Sequence, residues 1–488
     1  MLYVLLFVYA GFSKILDFQN FQVQLGQSPL LSAFAGWISV FIPIFEFVIC
    51  ILIIIPRSRL IGLFLAYGLM TLFTVYIFII LHYSSFVPCS CGGVLEKLNW
   101  KQHLIFNIFF VFLAVIAIFI HLFSLTGDGV KLKIKVIFTL LFSILVCSVL
   151  IVGGLFLLSE NIVHYHNKLS RRFPQNSIHT VVTKDLKFNS FYIAGVDDKH
   201  IYLGNSTSPL IITVLNNTLI QIEKKMIDLD RKDLPFKGVK ISILAPYFFV
   251  VDGTVPCIYR GLIANWKAEF MWKGEEYFGT AVAIDSVSIA GCTYSSITGE
   301  SILGVIPLDN SKRTLLNPKV LVKQLDGVFD TDGHLHYSKG LDRILFLYAY
   351  RNQFTVTDSK LKIEFRGNTI DTISRAKLSI VSVKNHKQKK FSKPPLFVNK
   401  DSAVYNNLLF VNSAIPGKYE ENKMWQSASI IDLYNLTTKS YLFSFLIYDI
   451  DGKKMKDFKV QGDKLYALIG NHITLYKLDK RITSNYNK

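Results

Sequence analysis

The chain has 488 residues, 51% of them hydrophobic, and its 53 Lys/Arg against 35 Asp/Glu give a net charge of +18. Residues 1–159 hold eight Lys/Arg and four Asp/Glu, which leaves 45 and 31 for the rest, so most of the positive charge follows residue 159. Such a charge is compatible with anionic lipid or acidic proteins as partners, whereas no recognition motif for nucleic acid is present.

The first 159 residues contain five apolar stretches, each close to the length that a bilayer core requires. The first is short and lacks a basic leader or a cleavage-site pattern, so we interpret it as a retained helix, with the completeness of its N-terminus left open. The sequence therefore predicts five transmembrane helices: Met1 to about Leu16, Leu31 to Ile55, Leu60 to His82, His103 to Phe123 and Val136 to Leu158.

The orientation of these helices follows from the basic residues of the short loops. Arg57 and Arg59 occupy one loop, and three lysines (Lys131, Lys133 and Lys135) precede the fifth helix. The positive-inside rule puts both loops in the cytoplasm, although Lys97 and Lys101 argue weakly for the opposite orientation. We therefore predict an inner-membrane protein with everything after Leu158 in the periplasm.

Cys89 and Cys91 are separated by a single serine in the predicted loop between the third and fourth helices. Pro88, Gly92 and Gly93 flank them and allow a tight bend. Two thiols at this spacing can close a small, strained disulfide that exchanges readily, in a compartment where disulfides persist. The pair is a candidate redox site, and two small residues in a tight turn are the alternative.

Four polar residues of the helical region are further candidates. Lys14 and Glu46 lie within apolar helices, where charges are costly and usually functional. If their helices are neighbours, the two residues can pair, either as structural glue or to tune a thiol or quinone site. His82 and His103 bracket the cysteine loop, where an imidazolium would favour a thiolate, and snorkelling at the interface is the competing explanation.

The periodicity changes from about Ile178, where short alternating runs of Val, Ile, Tyr, Phe and Thr are separated by Asp-Gly and Asn-rich turns. Pairs of strands recur about six times at a spacing of roughly 40 to 65 residues, which is typical of propeller blades. We predict an all-β domain, most simply a six-bladed β-propeller. Seven blades come next, and a large β-sandwich is the rival architecture.

No catalytic set is evident in the β domain, and GxSxG, HExxH and phosphate-loop motifs are absent from the sequence. His334 and His336 would share one face of a strand, but without a third ligand they predict no metal site. Cys257 and Cys292 fall in neighbouring predicted blades. A structural bridge, two separate buried thiols, or exchange with Cys89 or Cys91 are all compatible with the sequence.

The helical region resembles a known family. The segments Ala10-Gly-Phe-Ser-Lys-Ile-Leu-Asp-Phe, Pro43-Ile-Phe-Glu and Cys89-Ser-Cys-Gly-Gly are similar to the MauE branch of the DoxX-like membrane proteins. The resemblance covers about residues 1–125 and implies a four-helix bundle associated with redox maturation of exported proteins. The founding case is linked to disulfide formation in methylamine dehydrogenase.

This resemblance implies that Cys89 and Cys91 form the redox pair and that Lys14 and Glu46 are the polar residues of the bundle. The fifth helix and the β domain depart from the simple family, and this departure is compatible with a bundle that serves as an anchor. Fusions of such a bundle with propeller-like domains resemble membrane proteins of Bacteroidetes.

The predicted organisation has five parts: the MauE/DoxX-like bundle (1–125), a cytoplasmic loop with the fifth helix (126–160), a linker (161–177), the exported propeller (178–482) and a tail (483–488). Two functions remain open. In one, the CxC pair acts as a thiol-disulfide oxidoreductase, or accessory to one, while the propeller docks a client or a thioredoxin-like protein. In the other, the protein is a non-catalytic receptor or assembly subunit of a larger membrane complex. No cofactor is certain, and a quinone is the one considered.

Overall fold

A computed structural model describes residues 1–28, 30–83, 99–125, 130–274, 277–309, 313–383 and 388–486. The chain divides into two compact units. The first comprises Met1–Gln175 together with Gly417–Glu420, and the second comprises Asn176–Pro416 with Glu421–Lys488. The first unit is helical and the second is almost entirely β-structure.

The helical unit contains four helices that are long and apolar enough to cross a membrane, and one shorter apolar helix. The short one has 15 residues, which at 1.5 Å per residue gives about 22 Å, less than the roughly 30 Å of a bilayer core. The helices are α1 (Leu2–Leu16), α2 (Phe18–Gln27), α3 (Ala35–Ile54), α4 (Arg59–Tyr83), α5 (Trp100–Leu125) and α6 (Val130–Tyr165).

The structure adds one helix that the hydropathy pattern did not predict. Helix α2 carries glutamines among its apolar residues, so its mean hydropathy stays far below that of a spanning helix. It packs against α3, and Gln22 Nε2 donates to Ser39 Oγ at 3.3 Å. Helix α6 also extends beyond the predicted ends at Val136 and Leu158, because polar residues continue its helical pattern on both sides.

The core of the bundle lies where α1, α3, α4, α5 and α6 pack together. Small residues permit the closest contacts between these helices. At Gly62, an added Cβ would approach the backbone nitrogen of Ile53 to 2.8 Å, so no larger residue fits between α3 and α4 there. Exposed apolar side chains cover the outside of the helices, as expected for surfaces that face lipid.

The β unit forms six sheets that contain four or five strands, plus a separate two-stranded hairpin. The first blade contains β2 (Phe191–Val196), β3 (His200–Asn205), β4 (Ile211–Asn216) and β5 (Ile222–Met226). The second contains β7 (Val239–Leu244), β8 (Tyr247–Asp252), β9 (Cys257–Leu262) and β10 (Lys267–Lys273), with β6 (Asp228–Leu229) at the edge. The third contains β11 (Phe278–Ala283), β12 (Ser288–Tyr294), β13 (Ser301–Pro307) and β14 (Leu315–Asn317).

The fourth blade contains β15 (Gly333–Ser338), β16 (Arg343–Tyr348), β17 (Gln353–Thr357) and β18 (Ile363–Asn368), followed by the hairpin β19 (Ile380–Val383) and β20 (Gln388–Phe391). The fifth contains β21 (Asn399–Tyr405), β22 (Leu408–Ser413), β23 (Ala428–Asn435) and β24 (Ser440–Tyr448), with α7 (Asn422–Ser427) before β23. The sixth contains β25 (Met455–Gln461), β26 (Lys464–Ile469) and β27 (His472–Leu478), and α8 (Lys480–Thr483) follows it.

The N-terminal strand β1 (Ile178–Asp185) completes the sixth blade by pairing antiparallel with β27. The first strand of each blade packs against the first strand of the next, from β2 through β7, β11, β15, β21 and β25 back to β2. The second strand of each blade is mostly buried on both faces because the two neighbouring blades cover it, as in the fully buried β22. The predicted six-bladed propeller is thereby confirmed.

Candidate functional site

A buried ion pair joins two of the apolar helices, α1 and α3. Lys14 Nζ in the last turn of α1 donates to Glu46 Oε1 in the middle of α3 at 2.6 Å. The Glu46 side chain is 1% exposed and that of Lys14 is 20% exposed. The structure thus brings together the two charged residues that the sequence suggested as neighbours. Pairing reduces the cost of holding both charges at membrane depth.

The surroundings of the pair are closely packed. A Cβ at Gly11 would lie 2.9 Å from the ring of Phe47 and 3.5 Å from Glu46 Oε2, so the glycine lets the glutamate lie against α1. Lys14 Nζ also lies 5.9 Å from the ring centre of Phe21 in α2. Glu46 Oε2 has no hydrogen-bond partner among the residues that the structure describes. The carboxylate therefore keeps one acceptor position that the pair does not use.

The two predicted histidines lie at the helix ends that flank the cysteine segment. His82 is exposed in the last turn of α4, with Nδ1 2.9 Å from the carbonyl oxygen of Phe78. His103 is half-buried near the start of α5 and stacks on Trp100, and Lys14 is near enough to act on its charge. Cys89 and Cys91 lie outside the described residues, so their distance to either histidine stays undetermined.

The cysteines of the propeller are free thiols in separate blades, Cys257 in β9 and Cys292 in β12. Burial raises the pKa of Cys257 to about 11 and that of Cys292 to about 12. Because the thiolate is the nucleophile in disulfide exchange, such thiols are chemically quiet at neutral pH. In the helical unit, Cys50 of α3 is buried and Cys147 of α6 is exposed.

The first strands of three consecutive blades contribute a polar cluster that sequence reasoning missed in part. Asp401 of β21 lies 3.8 Å from His334 Nδ1 of β15, measured from Oδ1. In the next blade, Asp457 Oδ2 of β25 accepts the backbone N–H of Ile193 in β2 at 2.7 Å. Lys459 acts electrostatically on both carboxyl groups. We call Asp401, Asp457, His334 and Lys459 the channel cluster.

A repeated dipeptide in the sequence marks the two aspartates of the channel cluster. A Lys-Asp pair occurs near the start of two inner strands, as Lys400-Asp401 and Lys456-Asp457. In each strand the pairing register shifts at this point, which is the signature of a β-bulge. Bulges redirect side chains and are common at functional rims of sheets. Two copies of one dipeptide at matching positions of neighbouring repeats would have identified these aspartates.

Burial dominates the electrostatics of the cluster. It raises the pKa of Asp401, with a further contribution from the charge of Asp457, to about 8, and it raises the pKa of Asp457 as well. Burial lowers the pKa of His334 to about 4 and that of His336 well below its usual value. At neutral pH both imidazoles are neutral and Asp401 retains its proton.

His336 belongs to a separate contact, because its Nε2 lies 2.7 Å from Ser402 Oγ. Within the described ranges, no group of three or more His, Cys, Asp or Glu side chains is placed to hold a metal ion. The chemistry available to the cluster is therefore proton exchange and hydrogen bonding.

The comparison with protein families finds a match in the helical unit. Residues 1–120 match the family model of methylamine utilisation protein MauE. The resemblance expected for about residues 1–125 is confirmed. The MauE-like region contains α1 to α4, most of α5, the Lys14–Glu46 pair and the positions of Cys89 and Cys91. No curated protein matches the chain.

Several solved structures are similar to part of the chain. One is a member of the DUF4221 family from Bacteroides vulgatus, with 13% identity, a TM-score of 0.40, and coverage of 62% of this chain and 99% of its own. Another is virginiamycin B lyase from Staphylococcus aureus, with 10% identity, a TM-score of 0.38, and coverage of 62% and 100%. A third, an exported protein from Bacteroides fragilis, gives 9%, 0.40, and 64% and 98%. Likeness at this level carries no information on function.

Proposed function

We propose that this protein is a redox-associated inner-membrane protein in which Cys89 and Cys91 exchange disulfides with an exported client protein. The exchange begins when a thiolate on one partner attacks the disulfide of the other, forming a mixed disulfide. The second thiolate of the attacking partner then attacks the mixed disulfide and releases the other partner, so that one partner leaves oxidised and the other reduced. The two electrons and two protons pass between the partners, and the reaction runs in either direction.

The match of residues 1–120 to the MauE family carries this proposal, because the matched range contains the CxC pair within the family-like bundle. The thiols elsewhere do not compete for the role. Cys257 and Cys292 are held as thiols of raised pKa, and Cys50 is buried against α1, where its Sγ lies 3.7 Å from the carbonyl oxygen of Val4.

The number of spanning helices supports a shared compartment for the pair and the propeller. Helices α5 and α6 both have the length and hydropathy of a span, and they separate residues 84–98 from β1. Two crossings return the chain to the side from which it started, whether or not the short α1 spans. The positive-inside rule makes that side the periplasm, where disulfides persist.

The propeller, in this proposal, binds the client or a thioredoxin-like partner and keeps it beside the CxC pair. A second function is favoured by one observation: the β unit makes up most of the chain, yet its thiols are unreactive and no metal group lies in its described part. On that alternative the protein is a membrane-anchored receptor or an assembly subunit of an envelope complex, and the helices serve only as an anchor.

The experiment is to trap thiols in growing cells by acid quench and alkylation, and to read Cys89 and Cys91 by peptide mass spectrometry. We expect a mixed population in the wild type. Cys89→Ser or Cys91→Ser alone should accumulate a mixed disulfide, because the resolving thiol is missing. The double substitution should abolish the mixed disulfide at an unchanged protein level.

Cys147→Ser is the matched control, since it removes an exposed thiol from α6 without touching the pair. It should leave the redox distribution unchanged. If Cys89 and Cys91 remain fully reduced, or in one oxidised form under every redox stress, the exchange function is wrong and the receptor function replaces it.

A further inference from the structure

The connection from β18 to β21 carries an added hairpin, β19 and β20, that no other described blade connection contains. Its base is fixed to the fourth blade by aromatic contacts. The Phe391 ring lies 4.5 Å from that of Phe329 and 6.0 Å from that of Tyr350. Gln324 supports the same base by donating to the carbonyl oxygen of Ser374 and accepting the backbone N–H of Ala376. The hairpin is therefore held in a defined place on the propeller.

The charge of this connection is of one sign. Between Asp371 and Asp401 the sequence contains eight Lys/Arg and no Asp or Glu. Four basic side chains of its described part before β21 are exposed and form no ion pair with a described carboxylate: Arg375, Lys377, Lys390 and Lys393. Lys389 is the exception, with Nζ 3.4 Å from Asp326 Oδ2. The surface therefore presents unneutralised positive charge.

Apolar side chains are exposed among these cations. Val381, Leu396 and Phe397 are 44%, 41% and 42% exposed. Phe397 keeps one side against Tyr350, with the ring centres 5.0 Å apart, and presents the other to solvent. We call this group of four cations and three apolar residues the basic hairpin surface. Its combination of cations with partly exposed apolar groups is that of proteins which lie on the interface of an anionic membrane.

We propose that the basic hairpin surface docks on the anionic lipid headgroups of the membrane in which the protein is anchored. Two arguments favour lipid over an acidic protein. The apolar side chains suit the boundary between headgroups and acyl chains. The chain also ends α6 at Tyr165 and begins β1 at Ile178, a reach of at most about 45 Å, so the lipid surface is present at high effective concentration.

The test uses the full-length protein in lipid nanodiscs, one set of phosphatidylcholine and one with about 30% phosphatidylglycerol, where each lysine near an anionic surface gains attraction. Backbone hydrogen–deuterium exchange is followed by mass spectrometry on peptides from residues 388–397. We expect at least about fivefold slower exchange in the anionic discs, with the protection lost in about 0.5 M NaCl because salt screens the attraction.

Two triple variants test which lysines cause the lipid-dependent protection. Lys377→Gln/Lys390→Gln/Lys393→Gln should lose the lipid-dependent protection. Lys339→Gln/Lys360→Gln/Lys362→Gln removes the same charge from exposed turns of the fourth blade, at the end of its strands opposite to the start of the β18–β21 connection. This variant should keep the protection. Leu396→Ser should weaken the protection and leave its salt dependence, since it removes only apolar area.

Equal exchange in the two kinds of disc would overturn the proposal and would leave an acidic protein as the occupant. Equal loss in both triple variants would overturn it too, because the attraction would then be a property of total charge. Neither result bears on the outcome of the thiol-trapping experiment, since the docking proposal requires only that the protein be anchored in the membrane.

Discussion

At the scale of single residues, the polar groups that matter are those placed where water is scarce. In the helical unit these are Lys14 and Glu46, and in the propeller they are the residues of the channel cluster. In both places the sequence offers an ordinary charged residue, and only packing makes it unusual. The consequences of that packing are measurable.

The Lys14–Glu46 pair should behave as a buried ion pair. Lys14→Met and Glu46→Met should each lower the free energy of unfolding by about 3–5 kcal/mol, because each leaves one buried charge without its partner. The double substitution should recover most of that loss. Thermal unfolding in detergent measures all three variants.

The same variants separate the two roles that the sequence left open for this pair. If the pair is structural glue, the double variant should retain the wild-type redox distribution of Cys89 and Cys91. A double variant that is stable but shifts that distribution would contradict the glue role and assign the pair to the thiol site.

Asp401 should make the stability of the propeller depend on pH. Its carboxyl group has a pKa raised to about 8 in the folded protein, by burial and then by the charge of Asp457, against about 3.9 when unfolded. Between these values the folded state holds a proton that the unfolded state has released. This contribution is fully present below about pH 4 and is lost as the pH rises to about 8.

Asp401→Asn should therefore raise the Tm relative to the wild type at pH 8 and have a much smaller effect at pH 5. Differential scanning fluorimetry of the full-length protein at both pH values measures the difference. Asp233→Asn, on an exposed carboxylate paired with Arg231, is the control and should show no comparable pH dependence. An Asp401 effect that does not change with pH would disprove the assignment.

At the scale of elements, β1 is the strand on which the ring depends. It is the only strand of the sixth blade that precedes the other five blades in the chain, and it pairs with β27 over its full length. Thr183 Oγ1 and Thr474 Oγ1 meet across this pair at 3.1 Å. The cross-strand neighbours on this ladder are therefore close enough for an engineered link.

Thr183→Cys/Thr474→Cys should form a disulfide that ties β1 to β27 and raises the Tm by several degrees. Cross-linking two residues so far apart restricts the unfolded chain by about 5–6 kcal/mol in the loop-entropy account. Peptide mass spectrometry reports the bond, and thermal unfolding with and without reductant reports its effect. Lys184→Cys/Thr474→Cys is shifted by one residue to the other face of β1, so it should not form a bond.

The elements that the sequence predicted well are those with a strong period. Long apolar runs identified α3 to α6, and alternating strands bounded by turns identified the blades. Helix α2 escaped because its glutamines lower its hydropathy, and its position depends on packing against α3. The aspartates of the channel cluster were missed for a different reason: their Lys-Asp signal is only two residues long, and nothing in it shows that β15, β21 and β25 lie side by side in consecutive blades.

At the scale of the whole molecule, the decisive property is the number of membrane crossings. The topology argument predicts that the propeller and residues 84–98 share one compartment and that the turn between α3 and α4 lies in the other. The argument depends on the length of four helices and on Arg57 and Arg59, so it can be tested without reference to function.

Lys360→Cys and Pro56→Cys, each in a background with Cys89→Ser and Cys91→Ser, should be labelled differently by a membrane-impermeant maleimide. We expect Lys360→Cys, exposed between β17 and β18, to react in intact cells. Pro56→Cys, exposed between α3 and α4, should react only after the membrane is permeabilised. Labelling of Pro56→Cys in intact cells together with protection of Lys360→Cys would reverse the orientation and contradict the periplasmic location.

The strand that pairs with β1 is the last strand of the propeller to be synthesised. Ile178 pairs with Leu478, about 300 residues later, so the first strand of the propeller waits during synthesis until nearly the whole β unit has emerged. Until then β1 is an unpaired edge, and such edges invite pairing with other chains. A ribosome that stalls before β27 would release a membrane-anchored ring with an open seam. The propeller can therefore close only after synthesis has passed β27, because β1 has no partner strand before then.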